Sequence, residues 1–227
     1  MTSLILASTS PRRRELLALG GWAFTLRPVE VVEMPQAGER PLDFVRRMSQ
    51  AKAQAAAEGL EPGAFVIGAD TIVALEDQII GKPADSCEAL KILGQLRGRM
   101  HEVLTGLTVI DTTTHKQYTD LVRSSVPMRV YSDAEMKAYV DSGDPLDKAG
   151  AYAIQHPEFQ PVDRERFADC FANVMGLPLC HLLRRLRRLG VEPVNPRSVP
   201  GKCQTFLAYA CPVSEMILKE GQTSQVF

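Results

Sequence analysis

Short apolar runs alternate along the chain with amphipathic segments, a pattern typical of strands interspersed with helices. The first apolar run, residues 4–7, is short enough for a buried strand. Ser10 then fits a helix N-cap, and Pro11 fits a first helical position, where its missing N–H costs nothing. Gly20 and Gly21 end this helix. The opening residues therefore predict a strand, a tight turn and a helix.

The remaining elements follow from the same periodicities. Strands are expected at residues 24–32, 65–75, 101–110 and 117–130, and the last two form a hairpin with its turn around 112–114. Helices are expected at residues 41–59, 86–97, 132–140 and 177–189, with a loop and short strands between the last two. Because strands alternate with helices and the hairpin is antiparallel, the sequence predicts an α/β fold around a mixed sheet.

The composition changes after Gly190. Three prolines break regular structure there, so residues 191–202 are expected to form a linker. Residues 203–219 are apolar enough to dock on the body of the protein or on a partner. We therefore divide the chain into a domain of residues 1–190 and a C-terminal extension of residues 191–227, a linker plus a docking segment.

Bulk properties exclude several classes of protein. The 227 residues are 45% hydrophobic, which is enough to bury a core, and the net charge of −1 argues against nucleic-acid binding through a broad basic face. No signal peptide or membrane-spanning run is visible. Five cysteines without metal-ligand spacing favour a reducing compartment over a disulfide scaffold. We expect a cytoplasmic protein with neither a nucleic-acid nor a membrane partner.

The first strand-to-helix turn is a candidate anion site. The first N–H groups of a helix are unpaired and carry the positive end of its dipole, so this point favours an anion. Three arginines follow Pro11 directly, and guanidinium groups match phosphate oxygens. On spacing alone, a phosphate site and a solvated basic turn explain this segment equally well.

Other charged residues are less informative when taken singly. Asp70 follows an apolar strand, where it can ligate a metal, activate water, or simply form a structural salt bridge. Lys52, Lys82 and Glu33, each alone, are typical of exposed surface. A polar cluster at residues 147–155 fits either a ligand site or a turn, because Gly150 would let backbone approach a ligand closely.

Six blocks taken together resemble the Maf family of nucleotide pyrophosphatases, in the family's order and over about residues 3–189. The blocks are ASTSPRRRELL (7–17), VIGADTIV (66–73), GKP (81–83), HEVLTGL (101–107), DPLDKAGAYAIQ (144–155) and NVMGLPL (173–179). This resemblance implies a mixed twisted sheet with flanking helices, in two lobes around a deep nucleotide-binding groove. It also implies hydrolysis of nucleoside triphosphates between the α and β phosphates, a divalent cation (Mg or Mn), and a homodimer as a frequent assembly.

The resemblance also assigns roles to residues. Asp70 matches the proton acceptor, and Glu33 and Asp70 are the candidate metal ligands, although the sequence does not say which carboxylate does which job. The catalytic set it implies is Glu33, Lys52, Asp70 and Lys82, and the substrate-binding set is Ser8, Arg12, Arg13, Thr71, Asp147, Lys148 and Gln155.

Three of these positions bear on the choice of base. One branch of the family acts on dTTP and UTP, whereas a sister branch acts on 7-methyl-GTP and resembles SPWRR, GSDQ and CAGSFKSE at the matching stretches. This chain instead has Arg12, Thr71 and Gln155. A tryptophan would stack on a cationic methylated purine, whereas Thr and Gln offer the mixed donors and acceptors that suit uracil or thymine. The resemblance therefore favours dTTP and UTP, and modified pyrimidine nucleotides that differ by about one methyl group are expected to be accepted too.

Two alternatives and two departures stay open at this point. The alternatives are a 7-methyl-GTP pyrophosphatase and a regulator of cell division or septum formation that senses a nucleotide without turnover. Residues 164–170 stand where the family pattern has a glycine-containing turn, and Asp169 and Cys170 are not typical of that pattern. The last helix of the domain is unusually basic, and its arginines form either a solvated face or a binding surface.

Overall fold

A computed structural model describes residues 3–219, which contain one mixed six-stranded sheet in the order β2-β1-β3-β5-β6, with β4 paired to β3. The strands are β1 Ser3–Ala7, β2 Phe24–Leu26, β3 Ala64–Leu75, β4 Gln78–Ile80, β5 Met100–Asp111 and β6 Gln117–Pro127. β1 runs parallel to β2 and β3, whereas the other neighbours are antiparallel. The predicted α/β fold with a mixed sheet is confirmed.

Helices cover both faces of this sheet. They are α1 Pro11–Leu19, α2 Pro41–Ala57, α3 Ser86–Leu96, α4 Asp133–Asp141, α5 Phe171–Val174, α6 Leu179–Arg188, α7 Val199–Leu207 and α8 Ser214–Lys219. Side chains alternate between the faces along β3: Val66 and Ile72 pack towards α2, whereas Ile67 and Ala69 join a larger core with the other helices. Among residues 3–219, no helix has the length and apolar character needed to cross a bilayer.

Two glycines let α2 approach the sheet closely. A Cβ atom on Gly68 of β3 would lie 2.4 Å from the Ser49 carbonyl oxygen, and one on Gly106 of β5 would lie 2.1 Å from the Val45 carbonyl oxygen. Real Cβ atoms do not come this near to backbone, so both positions require glycine at this helix–sheet distance. The backbone of α2 therefore rests almost directly on β3 and β5.

Three sequence-based boundaries are wrong, for identifiable reasons. The second strand ends at Leu26 instead of residue 32, because its partner β1 ends at Ala7 and the Arg27 N–H makes the last ladder bond, to the Leu6 carbonyl oxygen. β6 stops at Pro127 instead of residue 130, because Pro127 lies opposite Met100, the first residue of β5, and the next residue, Met128, pairs with Val162 instead. The short strands expected after residue 145 are two 3₁₀ helices, Asp144–Asp147 and Ala149–Ala151, and one isolated bridge between Met128 and Val162.

The described part of the extension, residues 191–219, packs on the body. The expected linker is partly helical, since Pro196 begins a 3₁₀ turn and Pro200 lies in the first turn of α7, where proline is tolerated. The Tyr209 hydroxyl donates to the Phe167 carbonyl oxygen at 2.8 Å. Val199, Cys203, Leu207 and Ile217 are buried, so this segment docks on its own body. The division at residue 190 stays a prediction, and residues 220–227 lie outside the described residues.

Both departures from the family pattern have structural partners. The Asp169 carboxylate accepts from the Ser125 backbone N–H at 3.1 Å and from the Ser124 hydroxyl at 3.2 Å. It thereby supplies a hydrogen-bond acceptor to a backbone N–H on the outer edge of β6. On α6, Arg185 donates to both carboxylate oxygens of Asp120 at 2.7 and 2.8 Å, and Arg187 pairs with Glu192. These arginines of α6 therefore serve intramolecular ion pairs, which favours a structural role over a binding surface.

Candidate active site

A groove opens where β1 ends. Ala7 is the last β1 residue paired with β3, opposite Gly68, and β3 continues beyond this point while the chain turns into α1. Crevices beyond the carboxyl ends of parallel strands are the usual ligand sites of α/β sheets. The groove has a cavity volume of about 270 Å³. Every residue that the sequence assigned to the site lines it: Ser8, Arg12, Arg13, Glu33, Lys52, Asp70, Thr71, Lys82, Asp147, Lys148 and Gln155.

Lys52 lies at the centre of the polar end of this groove. Its ammonium Nζ is 2.6 Å from Asp70 Oδ1 and 2.5 Å from Glu33 Oε1. Lys52 and Asp70 are 8% and 5% exposed, whereas the Glu33 side chain is about half exposed at 53%. The two carboxylates therefore converge on one cation at the boundary between the protein interior and the open groove.

The packing of α2 explains this convergence. Side chains alternate along a strand, so Asp70 shares the face of β3 that carries Gly68, the face that α2 covers. Because Gly68 and Gly106 bring α2 so near, the Lys52 side chain reaches Asp70 across the helix–sheet interface. Within residues 3–219, Asp70 Oδ2 has no hydrogen-bond partner, so one oxygen of this carboxylate stays available.

The N-terminus of α1 forms another wall of the groove. Ser10 caps the helix, and its hydroxyl accepts from the Arg13 backbone N–H at 3.5 Å, as the sequence predicts. The side chains of Arg12 and Lys82, both lining the groove, make no hydrogen bond or ion pair with any described residue. Helix N–H groups and two unengaged cations therefore face the same space, an arrangement that suits an anion.

Arg13 is held in place by the protein itself. Its Nε donates to the Gly176 carbonyl oxygen at 2.8 Å, and Nη2 donates to Thr71 Oγ1 at 3.2 Å. Removal of this guanidinium from water lowers the pKa of Arg13, although Asp70 and Glu33 oppose that shift. Arg13 therefore presents a preorganised positive charge to the groove.

Two residues predicted to contact the ligand, Thr71 and Lys148, form hydrogen bonds with other groups of the protein. The Thr71 hydroxyl lies 2.9 Å from the Thr105 hydroxyl and 3.2 Å from Arg13, so it supports Arg13 in addition to lining the groove. Lys148 Nζ donates to the Asp144 carbonyl oxygen and the Asp147 carboxylate, both at 2.6 Å. Lys148 therefore ties its own loop together, whereas Gln155 is exposed at the groove wall.

Burial and neighbouring cations act oppositely on Glu33. Desolvation raises the pKa of this carboxyl, but its hydrogen bond to Lys52 and the charges of Lys52, Lys82 and Arg13 outweigh that effect, so the pKa lies below its ordinary value. Glu33 is accordingly ionised at neutral pH. As pH falls through its lowered pKa, the contact with Lys52 is lost.

The predicted set of site residues left out two groups in the groove wall. Gly176, whose carbonyl holds Arg13, adopts a left-handed φ of 101° and belongs to the NVMGLPL block, which was used only as a family marker. Tyr152 lines the groove, and its hydroxyl lies 2.8 Å from Nε2 of the buried His101. Burial lowers the pKa of His101 to about 4, so this ring is neutral at pH 7. The presence of a glycine in the NVMGLPL block was the sequence signal that could have pointed to the backbone position of Gly176.

The donor set fits a hard divalent cation only in part. Two carboxylates meet at Lys52, and Mg²⁺ is usually held by one or two carboxylates together with substrate phosphates and water. Among residues 3–219, no group of three or more His, Cys, Asp or Glu side chains is arranged to hold a metal alone. Glu33 and Asp70 therefore fit a cation that arrives with, or is completed by, a polyphosphate.

Comparisons with known proteins find relatives that align over most of the chain. A dTTP/UTP pyrophosphatase of Geotalea uraniireducens is 44% identical over 189 residues, covering 83% of this chain and 96% of the relative. One of Dehalococcoides mccartyi is 37% identical over 218 residues, covering 95% of this chain and 96% of the relative. The alignment with the second relative therefore extends into the C-terminal extension.

Solved structures give a weaker likeness. A nucleoside-triphosphatase (dITP/XTP pyrophosphatase) of Mycobacterium abscessus superposes with a TM-score of 0.39 at 15% identity, over 56% of this chain and 74% of its own. The Ham1 protein of Staphylococcus aureus superposes with a TM-score of 0.40 at 15% identity, over 56% of this chain and 72% of its own. The sequence profile described as "Maf-like protein" matches residues 3–189, which include every predicted site residue, and the chain therefore belongs to the Maf family.

Proposed function

We propose that this protein hydrolyses dTTP and UTP between the α and β phosphates, releasing the nucleoside monophosphate and pyrophosphate. The observation that carries the proposal is the Lys52 ammonium between Asp70 and Glu33 in a groove also lined by Arg12, Arg13 and Lys82. Curated relatives of 36–44% identity bear the name dTTP/UTP pyrophosphatase.

The charges of the groove match those of the reaction. Five cationic side chains and three carboxylates line it, so the site favours a polyphosphate electrostatically. Negative charge moves onto the leaving pyrophosphate in the transition state, and fixed cations nearby stabilise that charge. We assign this task to Arg12, Arg13 and Lys82, and the side chains of Arg12 and Lys82 make no hydrogen bond or ion pair with the described protein.

Asp70 is proposed to take a proton from the attacking water. Its Oδ1 is held by Lys52 at 2.6 Å, which fixes the carboxylate, while Oδ2 is free to accept. Lys52 thereby orients the Asp70 carboxylate as the general base. It also neutralises the negative charge that two adjacent carboxylates would otherwise place against the substrate. Glu33 completes this arrangement from the more exposed side of the groove.

Glu33 and Asp70 are also the residues that would hold Mg²⁺ or Mn²⁺. Such a cation, when bound, neutralises phosphate charge and lowers the cost of bringing water to the α phosphorus. The residues of the chain orient the nucleotide around it: Arg13 and Lys82 on the phosphates, Arg12 on the phosphates and beside the base, and Gln155 at the base. Asp147 and Lys148 are proposed to shape the wall beside the base through their mutual ion pair.

Compartment and assembly are also proposals. The five cysteines are free thiols, which supports residence in a reducing cytoplasm. A homodimer is supported only by the family resemblance. The domain boundary near residue 190 is supported by the change in composition and by the end of the Maf match at residue 189.

A nucleotide panel tests the proposed reaction. With Mg²⁺ or Mn²⁺ present, we expect dTTP and UTP to be consumed faster than dCTP, GTP, ATP and 7-methyl-GTP, and EDTA to stop the reaction. Chromatography of the nucleotides gives the rates. Binding of dTTP without consumption would instead favour the nucleotide-sensing alternative, and a preference for 7-methyl-GTP would favour the sister branch.

A paired substitution tests the proposed base wall. Arg12→Trp with Gln155→Glu adds a stacking surface and an acceptor for the guanine edge, and it removes the donors proposed to read a pyrimidine. We expect the ratio of kcat/KM for dTTP over 7-methyl-GTP to fall by about tenfold or more, since each polar contact contributes about 1 kcal/mol. Arg14→Trp, on the exposed side of α1, is the control. An unchanged ratio would remove Arg12 and Gln155 from base recognition.

A further inference from the structure

The segment that carries Glu33 has no regular secondary structure of its own. Residues 27–40, here called the Glu33 loop, connect β2 to α2 without a helix or strand. A loop of this length samples many conformations unless specific contacts restrain it. Before Glu33, Val31 packs against the apolar cluster that contains Phe44 and Met48 of α2, and after Glu33 the loop has a polar anchor.

Arg47 supplies that anchor from α2. Its Nε donates to Glu39 Oε1 at 2.7 Å, and its Nη2 donates to Glu39 Oε2 at 2.6 Å, a two-pronged pair that only a guanidinium can make. The same Nη2 also donates at 3.0 Å to the carbonyl oxygen of Met34, the residue immediately after Glu33. One side chain thus holds the loop at its far end and directly beside Glu33.

Packing and further hydrogen bonds surround this anchor. The Glu39 side chain is only 9% exposed and closes a turn by accepting from the Gln36 backbone N–H at 2.9 Å. The Arg47 guanidinium lies over the ring of buried Phe44, 5.4 Å from its centroid. Packing and hydrogen bonds therefore fix the fork of Arg47 before any substrate arrives.

Arg47 and Lys52 belong to the same helix, five positions apart. The rigid body that positions the Lys52 ammonium also positions the loop that brings Glu33 to it. We infer that Arg47 is a positioning residue of the active site, which presets Glu33 against Lys52 by holding Glu39 and the Met34 carbonyl. This inference rests on the proposed function, because it assigns Glu33 a part in the reaction.

A double-mutant cycle tests this role. Arg47→Lys keeps the charge but loses the fork, and we expect kcat for dTTP to fall by about tenfold with KM changed little, because misplaced groups at a site reduce the chemical step. In a Glu33→Gln background the same change is expected to have no further effect on kcat, since both act through one contact. Arg46→Lys, an exposed neighbour paired with Asp43, is the matched control.

Hydrogen exchange gives a second readout that does not depend on activity. We expect Arg47→Lys to accelerate amide exchange at Gln36 and Glu39, whose N–H groups are hydrogen-bonded within the Glu33 loop, while α2 and the sheet are unchanged, and Arg46→Lys to leave it unchanged. Unchanged exchange in Arg47→Lys overturns the inference, even if the wild-type protein proves inactive on dTTP. Equal losses of kcat in the wild-type and Glu33→Gln backgrounds overturn it as well, because they would reduce Arg47 to a general structural role.

Discussion

Replacing Asp70 with asparagine is expected to lower the turnover of dTTP and UTP by about 10³-fold, the scale of general-base catalysis. Asparagine keeps the shape of the side chain but cannot accept a proton from water at the free oxygen. Asp70 is 5% exposed and is fixed by Lys52, so the substitution changes one charge in a defined position. Steady-state pyrophosphate release measures the loss.

The control for this variant is a carboxylate of the same hairpin outside the groove. Asp77→Asn alters an exposed turn residue with a left-handed φ of 62°, a conformation that asparagine tolerates well, and its activity is expected to match the wild type. Circular dichroism of Asp70→Asn is expected to show a folded protein, since Lys52 retains Glu33 as a partner. A folded Asp70→Asn protein with wild-type turnover would show that another group activates the water.

The second large effect concerns stability. Gly106→Ala is expected to destabilise the fold by about 3 kcal/mol, the upper part of the usual range for overpacking. The new methyl group would lie 2.1 Å from the Val45 carbonyl oxygen, and backbone cannot move aside as a flexible side chain can. Relief requires α2 to lift from β5, which would also withdraw Lys52 from Asp70. Chemical denaturation measures the loss as a lower midpoint at an unchanged slope.

Gly94→Ala provides the matched comparison for Gly106→Ala. Gly94 lies inside α3, and a Cβ atom there meets nothing within 4 Å. Because alanine is the better helix former, this variant is expected to gain about 0.5–1 kcal/mol. If Gly106→Ala were as stable as Gly94→Ala, the proposed dependence of the site on close helix–sheet packing would be wrong.

Much of the fold follows from local sequence rules. The start of α1 was predictable because Ser10 and Pro11 are strong helix-start signals, and the β5–β6 hairpin because its apolar positions continue on both sides of a polar turn. The strand ends that were wrong depend on where the partner strand ends: β2 stops because β1 ends at Ala7, and β6 stops because β5 begins at Met100. In the segment that was read as a linker, Pro200 lies in the first turn of α7, where proline is compatible with a helix.

The residues of the candidate site could be predicted from the sequence, but their contacts with one another could not. Single residues such as Lys52 carry no signal, and only the order of six sequence blocks united them. The contacts between blocks depend on long-range packing, which no local pattern encodes. Thus the sequence did not indicate that Gly176 supports Arg13 or that Lys148 is engaged by its own loop. Arg47 was missed because an arginine on a helix is ordinarily a solvated residue.

This groove is proposed to hydrolyse a bound triphosphate between its α and β phosphates. The most direct measurement uses dTTP radiolabelled at its γ phosphorus, incubated with the wild-type protein and Mg²⁺ and resolved by chromatography. All released label is expected to migrate as pyrophosphate, with one dTMP formed for each pyrophosphate. Label released as inorganic phosphate together with dTDP would contradict it, because cleavage would then occur between the β and γ phosphates.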